Sequence, residues 1–417
     1  MSKIKEITAR EILNAKGNPT IETTVMLSDG AVGTASCPAG TSVGSYEAAT
    51  LTDHDPMHYR GLGVLQAIQH VEKTIAPKLI GMDAEKQADI DKTMIELDGT
   101  QNKSRLGANA ILSVSMAVAK AAANSSHMPL FLHLREFIDS QIKIPTPLFN
   151  IINGGKHANE AFDFQEFLVI PSSSTPYHKA LEVGTSIITS LGNLLRTNGL
   201  STLVGDEGGF APRAATNYDA FSLITQAIET TNMQIGFDIF LGLDAASDNF
   251  YHAGQYRIRD KSQGLSAKSL IAYYQELAKQ FHAIYLEDIL AEDDWDGWSD
   301  AVTTLGSEAL LVGDDLIATN PYRLQMAIEK KAITAVIIKP NQIGTVIEAM
   351  AVVEVARAAG LKIVVSHRSG ETNDSFIADF AVAVGADYCK FGAPVRGERV
   401  AKYNRLLQIE EQLKSLK

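Results

Sequence analysis

The chain has 417 residues, which allows two or three domains at roughly 150 residues each, a large β/α barrel being the usual way for one domain to exceed that size. Hydrophobic residues make up 45% and charged residues 21%, which excludes a disordered or fibrous chain. Lysine plus arginine number 37 against 49 aspartates and glutamates, a net charge of −12. So acidic a chain is a poor binder of nucleic acid or anionic membrane, and an anionic substrate would need a local basic cluster or bound cations.

The N-terminus, Met1-Ser-Lys-Ile-Lys-Glu6, has no apolar leader segment. The longest apolar stretches, near Leu106–Ala119 and Val183–Leu195, are too short and too rich in Ser, Gly and Asn to span a bilayer, so a soluble, cytoplasmic protein is expected. Residues 4–9 and 20–27 read as strands, the second with Ile21, Thr23, Val25 and Leu27 in partial alternation. Asp29-Gly30 supplies a turn into a third strand over Ala31–Cys37. Helical patterning follows over 61–79, 84–97 and 107–124. This is an α+β unit over residues 1–135, and Ile144-Pro-Thr-Pro-Leu148 is a strand or linker that follows it. Cys37 and Cys389 cannot form a disulfide framework and are expected to be reduced, packed thiols.

From about residue 238 one physical pattern recurs without a sequence repeat. A short apolar run stops at a polar residue, and a helical pattern usually follows. The runs end at Asp244, Glu287, Asp314, Lys339, His367 and Lys390. The last four intervals are each long enough for one strand and one helix. In a β/α barrel the C-terminal strand ends share one mouth, so these residues converge. An open doubly wound sheet is the competing architecture. An α/β barrel over 140–417, preceded by the N-terminal α+β domain, is the predicted fold.

Asp244, Glu287 and Asp314 in one cavity would repel unless one is protonated or a cation sits among them. Oxygen donors without Cys or paired His suit Mg²⁺ or Mn²⁺ rather than zinc. Each acid alone could instead cap a helix or pair with an arginine. A lysine near bound cations can lose its proton and act as a base, and Lys339 takes that role here while Lys390 contacts an anion. Physics of the sequence alone hardly separates the two. Gly205-Asp-Glu-Gly-Gly209 frames an acid pair with glycines, although such a stretch is also an ordinary turn. If Glu166 lies near Glu207, repulsion helps keep one of them protonated. His157 alone is more often structural than catalytic. Ser366-His-Arg-Ser-Gly-Glu-Thr372 offers backbone N–H groups, the Ser369 hydroxyl and the Arg368 guanidinium to a phosphate or carboxylate. Together these groups suit proton abstraction beside a carboxylate and loss of an oxygen leaving group.

At these residues the chain closely resembles the enolase family, essentially end to end. The motifs are Gly17-Asn-Pro-Thr20, Asn150-Ile-Ile-Asn-Gly-Gly155, Gln165-Glu-Phe167, Gly205-Asp-Glu-Gly-Gly-Phe-Ala-Pro212, Gly313-Asp-Asp-Leu316, Asn341-Gln-Ile-Gly-Thr345, Ser366–Thr372 and Arg399-Val-Ala-Lys-Tyr-Asn404. The resemblance implies reversible dehydration of 2-phospho-D-glycerate to phosphoenolpyruvate in glycolysis and gluconeogenesis. It implies two Mg²⁺ per site, the first on Asp244, Glu287 and Asp314, the second arriving with substrate and engaging Ser42 in a mobile loop around 38–45. Lys339 then takes the C2 proton, and Glu207 protonates the departing C3 hydroxyl with support from Glu166 and His157. Gln165, His367, Arg368, Ser369 and Lys390 hold substrate. A homodimer, or a higher assembly of dimers, is the expected state.

Pro38-Ala-Gly-Thr-Ser-Val-Gly44 departs from the common Pro-Ser-Gly-Ala-Ser-Thr-Gly, Lys16 replaces a common arginine, and Phe391 replaces a common threonine beside Lys390. Lys16 bears on a dimer contact, and Phe391 on the Lys390 pocket. Two alternatives compete with this reading: another acid dehydratase or isomerase of the same superfamily, and a non-catalytic binding role, as a pseudoenzyme or a surface-displayed adhesion protein with Lys417 as a handle.

Overall fold

The computed structural model of the chain describes residues 2–40, 44–158 and 161–415. Strands β1 (Ile4–Leu13), β2 (Pro19–Leu27) and β3 (Val32–Ser36) form an antiparallel sheet in that order. Along β2, Ile21, Thr23, Val25 and Leu27 are buried while Glu22, Thr24 and Met26 are half-exposed. That buried face lies against helix Ala108–Ser125, and the Thr23 and Ser113 hydroxyls meet across the contact at 2.7 Å. Gly33 is needed where β3 crosses the helix, because a Cβ there would collide with the Ala117 carbonyl.

The remaining strands of the larger unit are β4 (Thr146–Asn153), β5 (Glu166–Pro171), β6 (Ile239–Asp244), a short hairpin β7 (Tyr251–His252) and β8 (Gln255–Tyr256), β9 (Ala283–Glu287), β10 (Leu310–Gly313), β11 (Ala335–Ile338), β12 (Lys362–Ser366) and β13 (Tyr388–Lys390). Eight of them close a barrel in the order β10-β11-β12-β13-β4-β5-β6-β9. The six apolar runs that end in polar residues are six of these strands. Leu148, Leu168, Ile170, Tyr285, Val312, Ala335, Ile337 and Val364 fill the interior as a cluster of their own. The barrel is therefore plugged by side chains, and chemistry is confined to its ends.

One strand departs from the parallel pattern. β5 runs antiparallel to both β4 and β6, so its first residue, Glu166, pairs with Asn153 and Asp244, the last residues of its neighbours. Reversal is how Glu166 reaches the same mouth as the C-terminal strand ends. Helices after the strands begin at polar caps: Asp294 before Trp295–Leu305, Asn320 before Pro321–Lys330 and Thr345 before Val346–Ala358. Among the described residues no helix is long and apolar enough to cross a membrane. Cys37 and Cys389 are free and buried.

Candidate active site

The barrel order sorts the mouth by charge. Glu166, Asp244, Glu287 and Asp314 come from four consecutive staves, β5, β6, β9 and β10, Asp314 directly following its strand. Lys339, His367 with Arg368, and Lys390 come from the next three, β11, β12 and β13. Lys339 and Glu166 are four staves apart in a ring of eight, on opposite sides of the opening.

One cavity is lined by His157, Gln165, Glu166, Glu207, Asp244, Asp314, Lys339, His367, Arg368, Ser369 and Lys390. Glu287 is fully buried, accepting from Lys390 Nζ, a lining residue of that cavity, at 2.6 Å and from the Tyr285 hydroxyl at 2.7 Å. Lys390 Nζ also lies 3.2 Å from Glu166 and 3.3 Å from Asp244, and Gln165 Nε2 donates to Asp244 at 3.3 Å. Lys339 Nζ is paired with Asp314. The expected residues thus meet in one place, with the exception that Ser42 lies outside the described residues, as does Lys417.

The acids differ in proton affinity. Burial, then repulsion from Glu207, pushes Glu166 well above the usual carboxylate range. Burial also opposes charge on Glu207, but His367, His157 and Arg399 outweigh it and hold Glu207 well below that range. His157 Nδ1 stands 3.8 Å from Glu166 and 3.7 Å from Glu207, and one ligand atom from each of the three lies within 4.8 Å of the others. Asn150 Nδ2 donates to Glu207 at 3.1 Å. Arg399 Nη1 lies 2.6 Å from His367 Nδ1 and can only donate, so the neutral ring carries its proton on Nε2, 3.2 Å from Glu207. Burial lowers the His367 pKa to about 4 against the opposing pull of Glu207.

Burial followed by Asp244 raises Glu287, and burial followed by neighbouring aspartates raises Asp288. Asp315 is pushed up to about 7 by burial and then Asp314. Buried, oxygen-only, mutually repelling donors are the chemistry a hard divalent cation satisfies, so the residues fit Mg²⁺. Asp288, Asp314 and Asp315 bring ligand oxygens within 4.8 Å of one another, whereas Lys390 Nζ lies 3.3 Å from Asp244 and 2.6 Å from Glu287. Lys339 is raised: burial works against its charge, but Asp314 prevails. Lys390 is raised well above its ordinary value, Glu166 and Glu287 overcoming burial.

Several groups escaped the sequence reading. Asp288 accepts from the backbone N–H of Asp314 and Asp315 at 2.9 and 2.8 Å, tying two strand ends together. The doubled acids Glu287-Asp288 and Asp314-Asp315 were the available signal. Arg399, fully buried, donates to the carbonyls of Arg368 and Ser369 at 2.6 and 2.7 Å. Nothing local announced it. Glu47 forms a two-pronged pair with Arg368. Lys16 is paired with Asp206, next to Glu207, which places it at the acid loop. Phe391 is buried in the outer core against Tyr403, on the far side of the wall from Lys390's cavity.

Buried carboxylates that fit a hard cation, facing lysines and an arginine at one mouth of a TIM barrel, are the kind of site a metal-assisted barrel enzyme has. The model of the enolase N-terminal domain matches residues 4–134, and that of the enolase C-terminal TIM barrel domain matches 141–417. An enolase of Acidothermus cellulolyticus is 49% identical over 413 residues, covering 99% of this chain and 95% of that protein. The chain belongs to the enolase family. It is a lyase of the phosphopyruvate hydratase type, converting 2-phosphoglycerate to phosphoenolpyruvate, and its family uses Mg²⁺.

Proposed function

We propose that Lys339 removes the C2 proton of 2-phosphoglycerate and that Glu207 protonates the C3 hydroxyl as it leaves. The observation that carries this reading is the placement of Lys339 across the barrel mouth from the Glu166, His157 and Glu207 group. A substrate lying between them loses a proton on one side and a hydroxyl on the other. Burial and repulsion favour the protonated form of Glu166, and His157 Nδ1 lies 3.8 Å from it and 3.7 Å from Glu207, so closing these gaps to hydrogen-bond distance would give the acid side its proton supply. Gln165 and His367 orient substrate, Lys390 meets its carboxylate charge, and Arg368 and Ser369 take the phosphate.

Asp244, Glu287 and Asp314 would hold the first Mg²⁺, and Ser42 would serve the second, which would arrive with substrate. When bound, Mg²⁺ offsets the carboxylate charge that keeps Lys339 protonated and stabilises the negative charge building on the substrate carboxylate. The two-domain division falls between residues 135 and 140, and the working state is a cytoplasmic homodimer or an assembly of dimers.

The direct test is absorbance at about 240 nm from phosphoenolpyruvate formation, with Mg²⁺ and with chelator. Metal-dependent signal supports the reading. Turnover of an unphosphorylated hydroxy acid in its place would overturn it.

A further inference from the structure

Arg368 faces two ways. Its guanidinium lines the cavity that also holds Lys339 and Glu207. Its far edge is taken by Glu47, a residue of the N-terminal domain: Nη1 donates to Oε2 at 2.8 Å and Nη2 to Oε1 at 3.0 Å. Both side chains are 4% exposed. Glu47 itself does not line that cavity; it lines a cleft on the outer side, between the domains.

A buried guanidinium on a flexible stem is oriented by its partners, and a two-pronged carboxylate fixes both its position and its plane. Here the carboxylate is itself fixed. Oε1 accepts from the Gly44 backbone N–H at 3.0 Å. The next residue, Ala48, donates its N–H to the Gln342 carbonyl at 2.8 Å. The preceding residue, Tyr46, lays its ring 3.7 Å from the guanidinium carbon of Arg323 on the barrel. Gly40 closes the other side, since a Cβ on it would collide with the Arg368 guanidinium. Burial disfavours the charge on Arg368, and Glu47 is the first of the groups that restore and raise it.

We propose that Glu47 is a positioning residue for phosphate recognition: it grips Arg368 from behind and presents the guanidinium to the substrate phosphate. The proposal rests on the reading that Arg368 takes the phosphate. It makes the N-terminal domain a contributor to phosphate affinity without touching substrate.

The test compares Glu47→Gln, Glu47→Asp, Arg368→Lys and the double variant Glu47→Gln/Arg368→Lys. The readouts are kcat, KM for 2-phosphoglycerate and the constant for competitive inhibition by inorganic phosphate. Glu47→Gln is expected to raise KM and the phosphate constant together by about tenfold or more, with a smaller change in kcat. Glu47→Asp, which keeps the charge, should fall between Gln and the native residue. In the double variant the Gln substitution should add little to Arg368→Lys. Unchanged KM and phosphate inhibition in Glu47→Gln, beside large changes in Arg368→Lys, would sink the proposal and leave the role of Arg368 standing. Tighter phosphate inhibition in Glu47→Gln would also overturn it, because Glu47 would then compete with the anion. If Arg368→Lys alters neither constant, the underlying reading fails instead. Should the Gln variant not fold, Glu47→Asp carries the same comparison, and native constants there refute the proposal.

Discussion

Lys339 Nζ is ion-paired with Oδ2 of Asp314, and the two side chains are only 12% and 9% exposed. The contact keeps the lysine an ammonium, with Asp314 outweighing the burial that opposes its charge. A base must be neutral, so whatever draws off the charge of Asp314 also arms Lys339. Lys339→Ala should abolish exchange of the C2 proton with solvent and reduce turnover by at least about 10²–10⁴-fold. Glu207→Gln should leave exchange intact and block elimination. Proton NMR of 2-phosphoglycerate in deuterated buffer separates the two, and exchange surviving in Lys339→Ala would remove Lys339 from the base role.

Metal dependence follows from the same acids. Burial and mutual repulsion raise Glu287, Asp288 and Asp315, so the folded state carries an electrostatic cost that a divalent cation relieves. Adding Mg²⁺ should raise the melting temperature, by the equivalent of about 2.7 kcal/mol at a hundred times the dissociation constant. Asp314→Asn should shrink that shift. Calorimetry over a Mg²⁺ titration checks both, and a melting temperature indifferent to Mg²⁺ would contradict the assignment of the site.

The parts of this site that were legible in the sequence share a cause. A parallel strand buried on both faces is a continuous apolar run, so its polar terminus stands out, as at Asp244, Glu287, Asp314, Lys339 and Lys390. In β5 the polar pair Gln165-Glu166 precedes the run Phe167-Leu-Val-Ile170, and that inverted order is the local trace of a reversed strand. Arg399 and Glu47 left no trace of their roles, because their partners lie far away along the chain and only the closed fold brings them together. The motif containing Arg399 supported the resemblance, yet its role became legible only from the carbonyls and imidazole it contacts. Phe391 shows the opposite limit. Adjacency to Lys390 pointed to the pocket, but Phe391, one residue past the end of β13, packs its ring against Tyr403 in the outer core.

Lys16 offers a test of how the N-terminal domain acts on the acid loop. It reaches from the β1–β2 turn to Asp206, whose carbonyl also lies 3.4 Å from Arg399 Nη2. Lys16 is 24% and Asp206 31% exposed, so the pair contributes little to stability, within about 1 kcal/mol. Its effect should appear in turnover. Lys16→Met is expected to lower kcat by up to about tenfold, corresponding to about 1.4 kcal/mol, with a melting temperature close to native, and Lys16→Arg should restore activity. A Met variant with native kcat would confine Lys16 to a surface role.

Asp91 provides a pH test away from the chemistry. It lies fully buried on helix Gln87–Asp98 and reaches the start of barrel helix Val346–Ala358. Its Oδ2 accepts from the Ile347 N–H at 3.1 Å and its Oδ1 from Gln87 Nε2 at 2.9 Å, while Ser115 Oγ accepts from the Val346 N–H at 3.1 Å. Two side chains of the N-terminal domain thus cap the helix that follows the Lys339 loop. Burial raises Asp91 to about 7, despite hydrogen bonds from Ser115, Ile347 and Gln87 that favour its charge, and Glu348 adds to the rise. An unfolded aspartate titrates near 3.9, so between about 4 and 7 the native state binds the extra proton. The stability from Asp91 is therefore fully present below about 4 and is lost as pH rises through 7, at up to about 1.4 kcal/mol per unit. Asp91→Asn is neutral throughout and loses one acceptor, so it should be less stable than native at pH 5 and recover relative to native by pH 8. Denaturant unfolding at pH 5, 6, 7 and 8 measures that difference, and a gap independent of pH would show that Asp91 does not titrate in this range.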